Sequence, residues 1–326
     1  MHLPERSAFR RLFAAFALLL TTIPSGQLLA QEGGVDPSPP DTANEVRQNE
    51  EIPQDKHVYR MNYWFSVPFS IAASAANVYA IPNVIKAKPG ITDAELAGLN
   101  PEKYNFIDRW ALEQDPSRRD QNYKNSDILL PAIIASVGAL GFDNQIRKDW
   151  LRIFTMYFET HAVTFSLYNF SFFGPAFQNK LRPYVYYDYF PASERQTGNQ
   201  RNSLYSGHTA SASAAAFFAV KVYSDYHPEI GNKKYLYYGL ASVPALLEGY
   251  LRMKALAHFP SDIMVGFAIG AVCGVVVPDL HKFRHKTIKL GLNYNQAGPG
   301  MYLTWRPDYE TKKIPRAFAF DKKVGL

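Results

Sequence analysis

Six long apolar stretches dominate this 326-residue chain and limit the folds it can adopt. They are rich in Ala, Leu, Ile, Val and Phe, and their lengths favour helices over strands. The stretches lie near residues 64–81, 128–142, 150–173, 208–223, 235–251 and 263–278. We therefore expect an all-α fold, a bundle of about six apolar helices. In the C-terminal extension, residues 290–326, an alternating pattern around Ala-Gly-Pro-Gly predicts a short β-hairpin.

The first 57 residues differ from the bundle in composition. Residues 1–30 combine a basic start with a short apolar run, which is typical of an export signal or of a retained signal anchor. Residues 31–57 are acidic and rich in Pro and Gly. We expect a disordered spacer there, because such a segment cannot bury enough apolar surface to offset the cost of ordering. Residues 58–289 then form the helical phosphate-site domain described below.

The apolar stretches are short for membrane spans, since a helix needs about 20 apolar residues to cross the hydrocarbon layer. The mean hydropathy of the chain is only −0.22. A soluble bundle is therefore the alternative to a membrane protein. Basic residues at 147–148, 233–234 and 281–286 fall at helix ends opposite the polar motifs. By the positive-inside rule, a membrane-associated chain would then place those motifs on the periplasmic or exterior side.

The number of helices complicates this orientation. If the signal is cleaved and all six stretches span the membrane, the motifs face inward. An outward site follows if residues 12–23 are retained as a span while residues 64–81 lie along the membrane surface. It also follows if the protein is peripheral and spans nothing.

Three short polar motifs lie at the edges of the apolar stretches. The first is Arg182-Pro183 and the second is Ser206-Gly207-His208. The third comprises Arg252, His258 and Asp262, separated by six and four residues. Arginine side chains bind phosphoryl oxygens in a bidentate fork. A helix that starts at Ser-Gly offers free N–H groups to an anion. Together these residues can bind a phosphate and cleave its ester.

In order and spacing, the motifs resemble the signature K-x6-RP, P-SGH and SR-x5-H-x3-D of the type 2 phosphatidic acid phosphatase / vanadium haloperoxidase superfamily. The resemblance, to its membrane-associated phosphatase branch, implies a helical core and a metal-independent phosphatase. It implies that His258 is a nucleophile that forms a phosphohistidine, with Asp262 accepting a hydrogen bond from its other ring nitrogen. His208 would be the general acid. The residues expected to bind the substrate phosphate are Arg182, Ser206, Gly207, Arg252 and Lys180.

The first motif departs from the family pattern. Pro175 stands seven residues before Arg182, where the family has a phosphate-binding lysine. Lys180 is the first candidate to replace that lysine, and Arg201 is the second. If neither reaches the phosphate, the site lacks one cation.

The leading hypothesis is a phosphohydrolase that acts on a lipid phosphate or diphosphate of the cell envelope, with the membrane as its other partner. No nucleic acid and no cofactor are expected. No metal is expected either, because the chain lacks HExxH and CxxC motifs. One alternative is a soluble, exported acid phosphatase of broad specificity. Another is a degenerate, non-catalytic membrane protein that binds lipid or phosphate, which the missing lysine favours.

Four polar or reactive residues match no motif position. We expect Glu159 and His161 to have packing roles, and Cys273 to be a small buried group among aliphatic neighbours. Glu248 lies within an apolar run, where an unpaired carboxylate is costly. It needs an arginine of the site as its partner, or a polar cavity.

Overall fold

The computed structural model of this chain describes residues 57–282, 288–295 and 298–305. The helices of this part are α1 (Tyr63–Lys86), α2 (Asp93–Ala97), α3 (Phe106–Arg109), α4 (Arg119–Ser136), α5 (Asn144–Lys148), α6 (Trp150–Phe170), α7 (Ala192–Arg195), α8 (Gly207–Tyr226), α9 (Lys233–Lys254) and α10 (Pro260–His281). Short 3-10 helices lie at Pro101–Lys103, Trp110–Leu112, Pro116–Arg118, Val137–Phe142, Pro183–Tyr186, Gly198–Arg201 and Pro228–Ile230. The prediction of an all-α bundle is confirmed, because each apolar stretch falls mainly within one of the six long helices.

The chain divides after His281 into two compact units. The second unit contains an antiparallel hairpin of β1 (Ile288–Asn295) and β2 (Gly298–Trp305), in which Asn295 is opposite Gly298. The predicted C-terminal hairpin is therefore confirmed. The predicted export signal (1–30) and the predicted spacer (31–57, except its last residue) lie outside the described residues.

The long helices alternate in direction, so that all three motifs lie at one end of the bundle, which we call the motif end. There the backbone N–H of Ser206, at the start of α8, donates a hydrogen bond to the carbonyl of Asp262, at the start of α10 (3.1 Å). The opposite end carries residues 147–148 and 233–234, and we call it the basic end. Helix α1 begins at the basic end, where the Arg60 N–H donates to the carbonyl of His281 (2.7 Å).

Helix α8 is at the centre of the bundle and packs against α10, α9, α6 and α4. Its contact with α10 is close because α10 presents Gly266, Gly270 and Gly274 at every fourth position. A Cβ added at Gly270 would lie only 1.9 Å from the carbonyl oxygen of Ala210. Small residues at this spacing let two helix backbones approach each other. The approach joins the starts of α8 and α10, which carry the second and third motifs.

The bundle has apolar outer faces, and many polar side chains lie buried beside its apolar core. Buried hydroxyl-bearing side chains include Ser66, Ser70, Thr160, Thr164, Ser211 and Ser213. Large apolar side chains on the outer faces are exposed, among them Val78 (73%), Val243 (61%) and Leu280 (74%). A soluble bundle shows the reverse pattern. Within the described residues, three helical segments are long and apolar enough to cross a membrane by length and composition: Tyr63–Lys86, Pro116–Phe142 and Pro260–His281.

Helix α1 is a full member of the bundle and packs along α6. Its Asn77 side chain donates hydrogen bonds to the carbonyl of Ala162 and to Oγ of Ser166 (both 3.1 Å). Asn169 donates in turn to Oδ1 of Asn77 (2.9 Å). Residues 64–81 thus lie inside the bundle, which does not favour the arrangement in which they lie along the membrane surface.

Candidate active site

His258 lies in the short loop between α9 and α10, with 3% of its surface exposed. Its Nδ1 donates a hydrogen bond to the backbone carbonyl of Ser203 at 2.6 Å, since a carbonyl oxygen can only accept. This bond selects the tautomer in which Nε2 carries the free lone pair. Burial, followed by the positive charges of Arg182 and Arg252, lowers the pKa of His258 well below that of an ordinary histidine. The imidazole is therefore neutral at physiological pH, and its Nε2 can act as a nucleophile.

Asp262 does not bind His258 directly, which corrects the expected hydrogen bond between them. Nδ1 of His258 is already engaged by Ser203. The fully buried Asp262 carboxylate instead accepts hydrogen bonds from Ser203 Oγ (2.6 Å) and Phe259 N (3.0 Å), and pairs with Lys180 Nζ (2.8 Å). Asp262 therefore fixes Ser203, and the carbonyl of Ser203 fixes His258. Asp262 can therefore position His258 through Ser203.

Lys180, expected to bind the substrate phosphate, is paired with carboxylates of the motif end. Its Nζ lies 2.8 Å from Asp262 Oδ1, 2.8 Å from Ser261 Oγ and 3.3 Å from Asp108 Oδ2. Asp108 is buried on α3 and also accepts hydrogen bonds from the N–H (2.9 Å) and Oγ (2.7 Å) of Ser261. An ammonium group has three donors, and all three are engaged in this cluster. The carboxylates of Asp262 and Asp108 thus neutralise the positive charge of Lys180 that would otherwise attract a phosphate.

Arg182 and Arg252 carry positive charges that the surrounding protein leaves poorly paired. The Nε of each is buried, with no hydrogen-bond partner among the described residues. The guanidinium of Arg252 lies over the ring of Tyr123, 4.4 Å from its centre. Its contact with the carboxylate of Asp127 on α4 is long, at 3.7 Å, and Asp127 is 63% exposed. A buried donor without a partner costs about 1–3 kcal/mol. These donors favour the binding of an anion.

Ser206 and Gly207 form the start of the 20-residue helix α8. Ser206 caps the helix, because its Oγ accepts a hydrogen bond from Thr209 N (3.4 Å). Gly207 lies against the ring of Tyr168, which a Cβ at this position would approach to 3.1 Å. The first N–H groups of a helix have no intrahelical acceptor. The start of α8 can therefore present N–H groups and the positive end of its dipole to a phosphate.

His208 lies on the first turn of α8 and is partly open to solvent, with 35% of its side chain exposed. Its Nε2 is 3.8 Å from Oδ1 of Asp127. Desolvation, followed by the charges of Arg252 and Arg182, lowers the pKa of His208 to about 3. Without a ligand, His208 is thus neutral at pH 7. A bound phosphate dianion would offset the two arginines and raise that pKa, which a general acid requires.

Arg201, the second candidate for the missing cation, is also engaged elsewhere. It donates to both carboxylate oxygens of Glu95 (2.7 Å each) and to the carbonyl of Pro89 (3.1 Å). Lys88, which the motif pattern does not single out, donates to the carbonyls of Gln178 and Arg201. Both cations therefore hold the loops of the motif end together. Neither is free to bind a substrate phosphate.

The polar residues outside the motifs have other partners. Glu159 pairs with His281 at the basic end (3.1 Å), and His161 lies on the same helix, outside the site. Glu248 lies one helical turn before Arg252 and accepts a hydrogen bond from Ser126 Oγ (2.5 Å). Cys273 is buried, as expected for a packing group. Within the part of the chain that the structure describes, no cluster of three or more His, Cys, Asp or Glu side chains is arranged to hold a metal ion.

Comparison with known proteins agrees with the motifs. Residues 154–286 match the model of the PAP2 superfamily, and all three motifs lie within this range. The match over residues 154–286 agrees with the phosphatase of the phosphatidic acid phosphatase type that the motifs predict. No curated protein matches the chain. A similar solved structure is that of a transmembrane PAP2-type phosphatidylglycerolphosphate phosphatase from Bacillus subtilis. The two share 18% identity over 66% of this chain and 94% of that one, with a TM-score of 0.37.

Proposed function

We propose that this chain is a metal-independent phosphohydrolase that cleaves a phosphate monoester or diphosphate of a cell-envelope lipid through a phosphohistidine on His258. The observation that carries the proposal is the hydrogen bond from Nδ1 of His258 to the carbonyl of Ser203. It leaves Nε2 of a neutral imidazole free. Arg182 and Arg252 lie close enough to lower the pKa of that imidazole. The same charges would stabilise the negative charge of the transferring phosphoryl group.

The reaction has two steps that balance in protons and electrons. In the first step, Nε2 of His258 bonds to phosphorus, and the bond from phosphorus to the lipid oxygen breaks. The electron pair leaves on that oxygen, which takes a proton from His208. In the second step, water attacks phosphorus and gives a proton to His208. The N–P bond then breaks, inorganic phosphate leaves and the neutral imidazole of His258 is restored.

A lipid substrate is supported by the apolar outer faces of the bundle and by the hydroxyl groups buried within it. Exposed apolar side chains on the outer faces suit contact with lipid tails, and the buried hydroxyls suit helix packing inside a membrane. Near the motif end, the segment 106–110 exposes Phe106 (84%) and Trp110 (49%). Aromatic side chains are typical of the membrane–water interface. A lipid could therefore keep its tail in the bilayer while its phosphate reaches His258.

The orientation of the site is part of the proposal. By the positive-inside rule, the basic end faces the cytoplasm and the motif end faces the periplasm or the exterior. Because α1 begins at the basic end, residue 57 then lies on the cytoplasmic side. If all six long helices span the membrane, cleavage of an export signal within residues 1–30 would contradict this orientation.

The test is phosphate release by the purified full-length chain in detergent, with EDTA present. The substrates are phosphatidic acid, phosphatidylglycerol phosphate, an isoprenoid diphosphate and a lipid A phosphate. The wild type should release phosphate from at least one of them, and His258→Ala should not. His227→Ala is the matched control, because His227 pairs with Asp143 and Glu229 at the basic end, far along α8 from the site.

Each other outcome has a defined meaning. Equal phosphate release by His258→Ala and wild type refutes the proposed nucleophile. Full recovery of active protein in a detergent-free soluble fraction supports the soluble acid phosphatase instead. Binding of vanadate without turnover of any lipid phosphate supports the degenerate, non-catalytic alternative.

A further inference from the structure

We propose that Arg119, at the start of α4, is the third phosphate-binding cation of this site, in place of the lysine that Pro175 replaces. The inference rests on the proposed function. It assigns a substrate-binding role to a residue outside the three motifs. Its expected ligand is the phosphoryl group that Arg182 and Arg252 also bind.

The first argument is position. The guanidinium of Arg119 lies 4.7 Å from the ring centre of Tyr123 and 4.6 Å from that of Tyr184. The guanidinium of Arg252 also lies over the ring of Tyr123, 4.4 Å from its centre. Tyr184 follows Arg182 by two residues in the turn of the first motif. Arg119 is thus stacked between two aromatic rings. The ring of Tyr123 also contacts Arg252 of the third motif, and the ring of Tyr184 lies next to the first motif.

The position of Tyr184 also connects Arg119 to the nucleophile. The Tyr184 N–H donates a hydrogen bond to the carbonyl of Leu256, two residues before His258 (3.1 Å). The hydroxyl of Tyr184 donates to Glu194 (2.6 Å), which fixes the ring from its other side. The ring that supports the Arg119 guanidinium is therefore attached to the loop that holds His258.

The second argument is that Arg119 has a buried hydrogen-bond donor without a partner among the described residues. The Nε of Arg119 is buried and has no hydrogen-bond partner among the described residues, as is also true of Arg182 and Arg252. Arg119 forms an ion pair through its Nη1 with Asp120 (2.7 Å), whose side chain is 81% exposed. Three arginines that share Tyr123 as an electrostatic neighbour repel one another. A phosphate dianion would satisfy their free donors and relieve that repulsion.

The third argument is that the other nearby cations already have partners. Asp262 and Asp108 neutralise Lys180, Glu95 binds Arg201, and two backbone carbonyls hold Lys88. Arg119 differs from them because its partner Asp120 is largely in solvent, where an ion pair is weak. Of these four cations, Arg119 is the one whose side chain keeps a buried donor without a hydrogen-bond partner among the described residues.

The test measures inhibition by orthovanadate and lipid-phosphate turnover for Arg119→Gln and Arg119→Lys, with Arg118→Gln as the matched control. Arg118 is adjacent in sequence, but its side chain is 76% exposed and pairs with Asp115 across 3.5 Å. We expect Arg119→Gln to weaken vanadate inhibition and lower kcat/KM by about 10- to 100-fold, because charge-assisted hydrogen bonds are lost. Arg119→Lys should show a smaller loss, since it keeps the charge without the fork. Arg118→Gln should stay within about twofold of wild type.

The outcomes separate this inference from the proposed function. If the wild type turns over substrate and Arg119→Gln matches it in both measurements, the role of Arg119 is refuted while the phosphatase stands. If the wild type has no activity, the proposed function fails. Vanadate-dependent thermal stabilisation, compared between wild type and Arg119→Gln, then still decides whether Arg119 binds the anion. Should Arg119→Gln not fold, Arg119→Lys decides by the same two readouts, and an unchanged Arg119→Lys refutes the inference.

Discussion

Ser203→Ala tests whether Asp262 acts on the nucleophile through Ser203. The substitution removes the hydroxyl that Asp262 binds at 2.6 Å and keeps the backbone carbonyl that accepts the bond from His258. Ser203 and Asp262 each have 0% exposed surface, so water cannot replace the lost contact. A hydrogen bond to a charged group contributes about 1.5–3 kcal/mol. If that energy orients His258 for attack, kcat should fall about 10- to 100-fold.

The assay is steady-state hydrolysis of the substrate identified in the lipid screen, together with thermal unfolding in detergent. KM should change little, because Ser203 is not expected to touch the substrate. Ser261→Ala is the matched control: it removes a hydroxyl from the same cluster, but one that is only partly buried and is bound to Asp108 and Lys180. It should lower the unfolding temperature comparably and change kcat by less than about threefold.

Two results would refute the reasoning about Ser203. One is a kcat for Ser203→Ala within twofold of wild type while Asp262→Asn is strongly impaired, which would mean that Asp262 acts on His258 directly. The other is an equal loss of kcat in Ser261→Ala, which would mean that the cluster matters only for stability.

Three further predictions concern pH, packing and orientation. Because the lowered pKa keeps His258 neutral in acid, the acid-side fall in kcat/KM, corrected for the substrate's own ionisation, should come only well below pH 6.5; an acid-side fall centred at or above that pH contradicts the buried, neutral nucleophile. Gly270→Val should push α10 away from α8 and destabilise the bundle by about 1–3 kcal/mol or more, measured as a lower unfolding temperature; an unchanged temperature contradicts the close packing. The last prediction uses a cysteine-free background and an impermeant maleimide applied to intact cells. The reagent should label Thr197→Cys at the motif end and should not label Asn232→Cys at the basic end. The reverse labelling pattern contradicts a site that faces outward.

The bundle and the position of its motifs are predictable because their signals are local. Each apolar stretch is continuous and long enough for a helix, and each motif lies at the end of such a stretch. The capping of α2 by Thr92 is equally local, since Glu95 completes a capping box within one turn. Spacing along the chain is sufficient for these features.

The contacts within the site are less predictable because they depend on distant or generic groups. Ser203 holds His258 through a backbone carbonyl, which every residue possesses, so its identity gives no signal for that role. The neutralisation of Lys180 depends on Asp108, which is 72 residues away in sequence. The four-residue helix α3, which carries Asp108, has no strong apolar pattern.

The third cation illustrates the same limit. Lys180 is close to Arg182 in sequence, which favours it as the third phosphate-binding cation. The fold instead brings Arg119, at the start of another helix, next to the site. A partial signal exists, because Arg119 and Tyr123 lie one helical turn apart at the start of α4 and so share a face. What the sequence does not contain is the position of Tyr184, which completes the stack.

The central claim is that Nε2 of His258 attacks phosphorus, and the most direct test is to trap the covalent intermediate. Substrate labelled in the cleaved phosphoryl group would be mixed with the wild type, quenched rapidly in alkali and digested, and the labelled peptide located by mass spectrometry. The account predicts an acid-labile phosphoryl group on Nε2 of His258, absent in His258→Ala. Turnover with the label on another residue, or on Nδ1 of His258, would contradict the account.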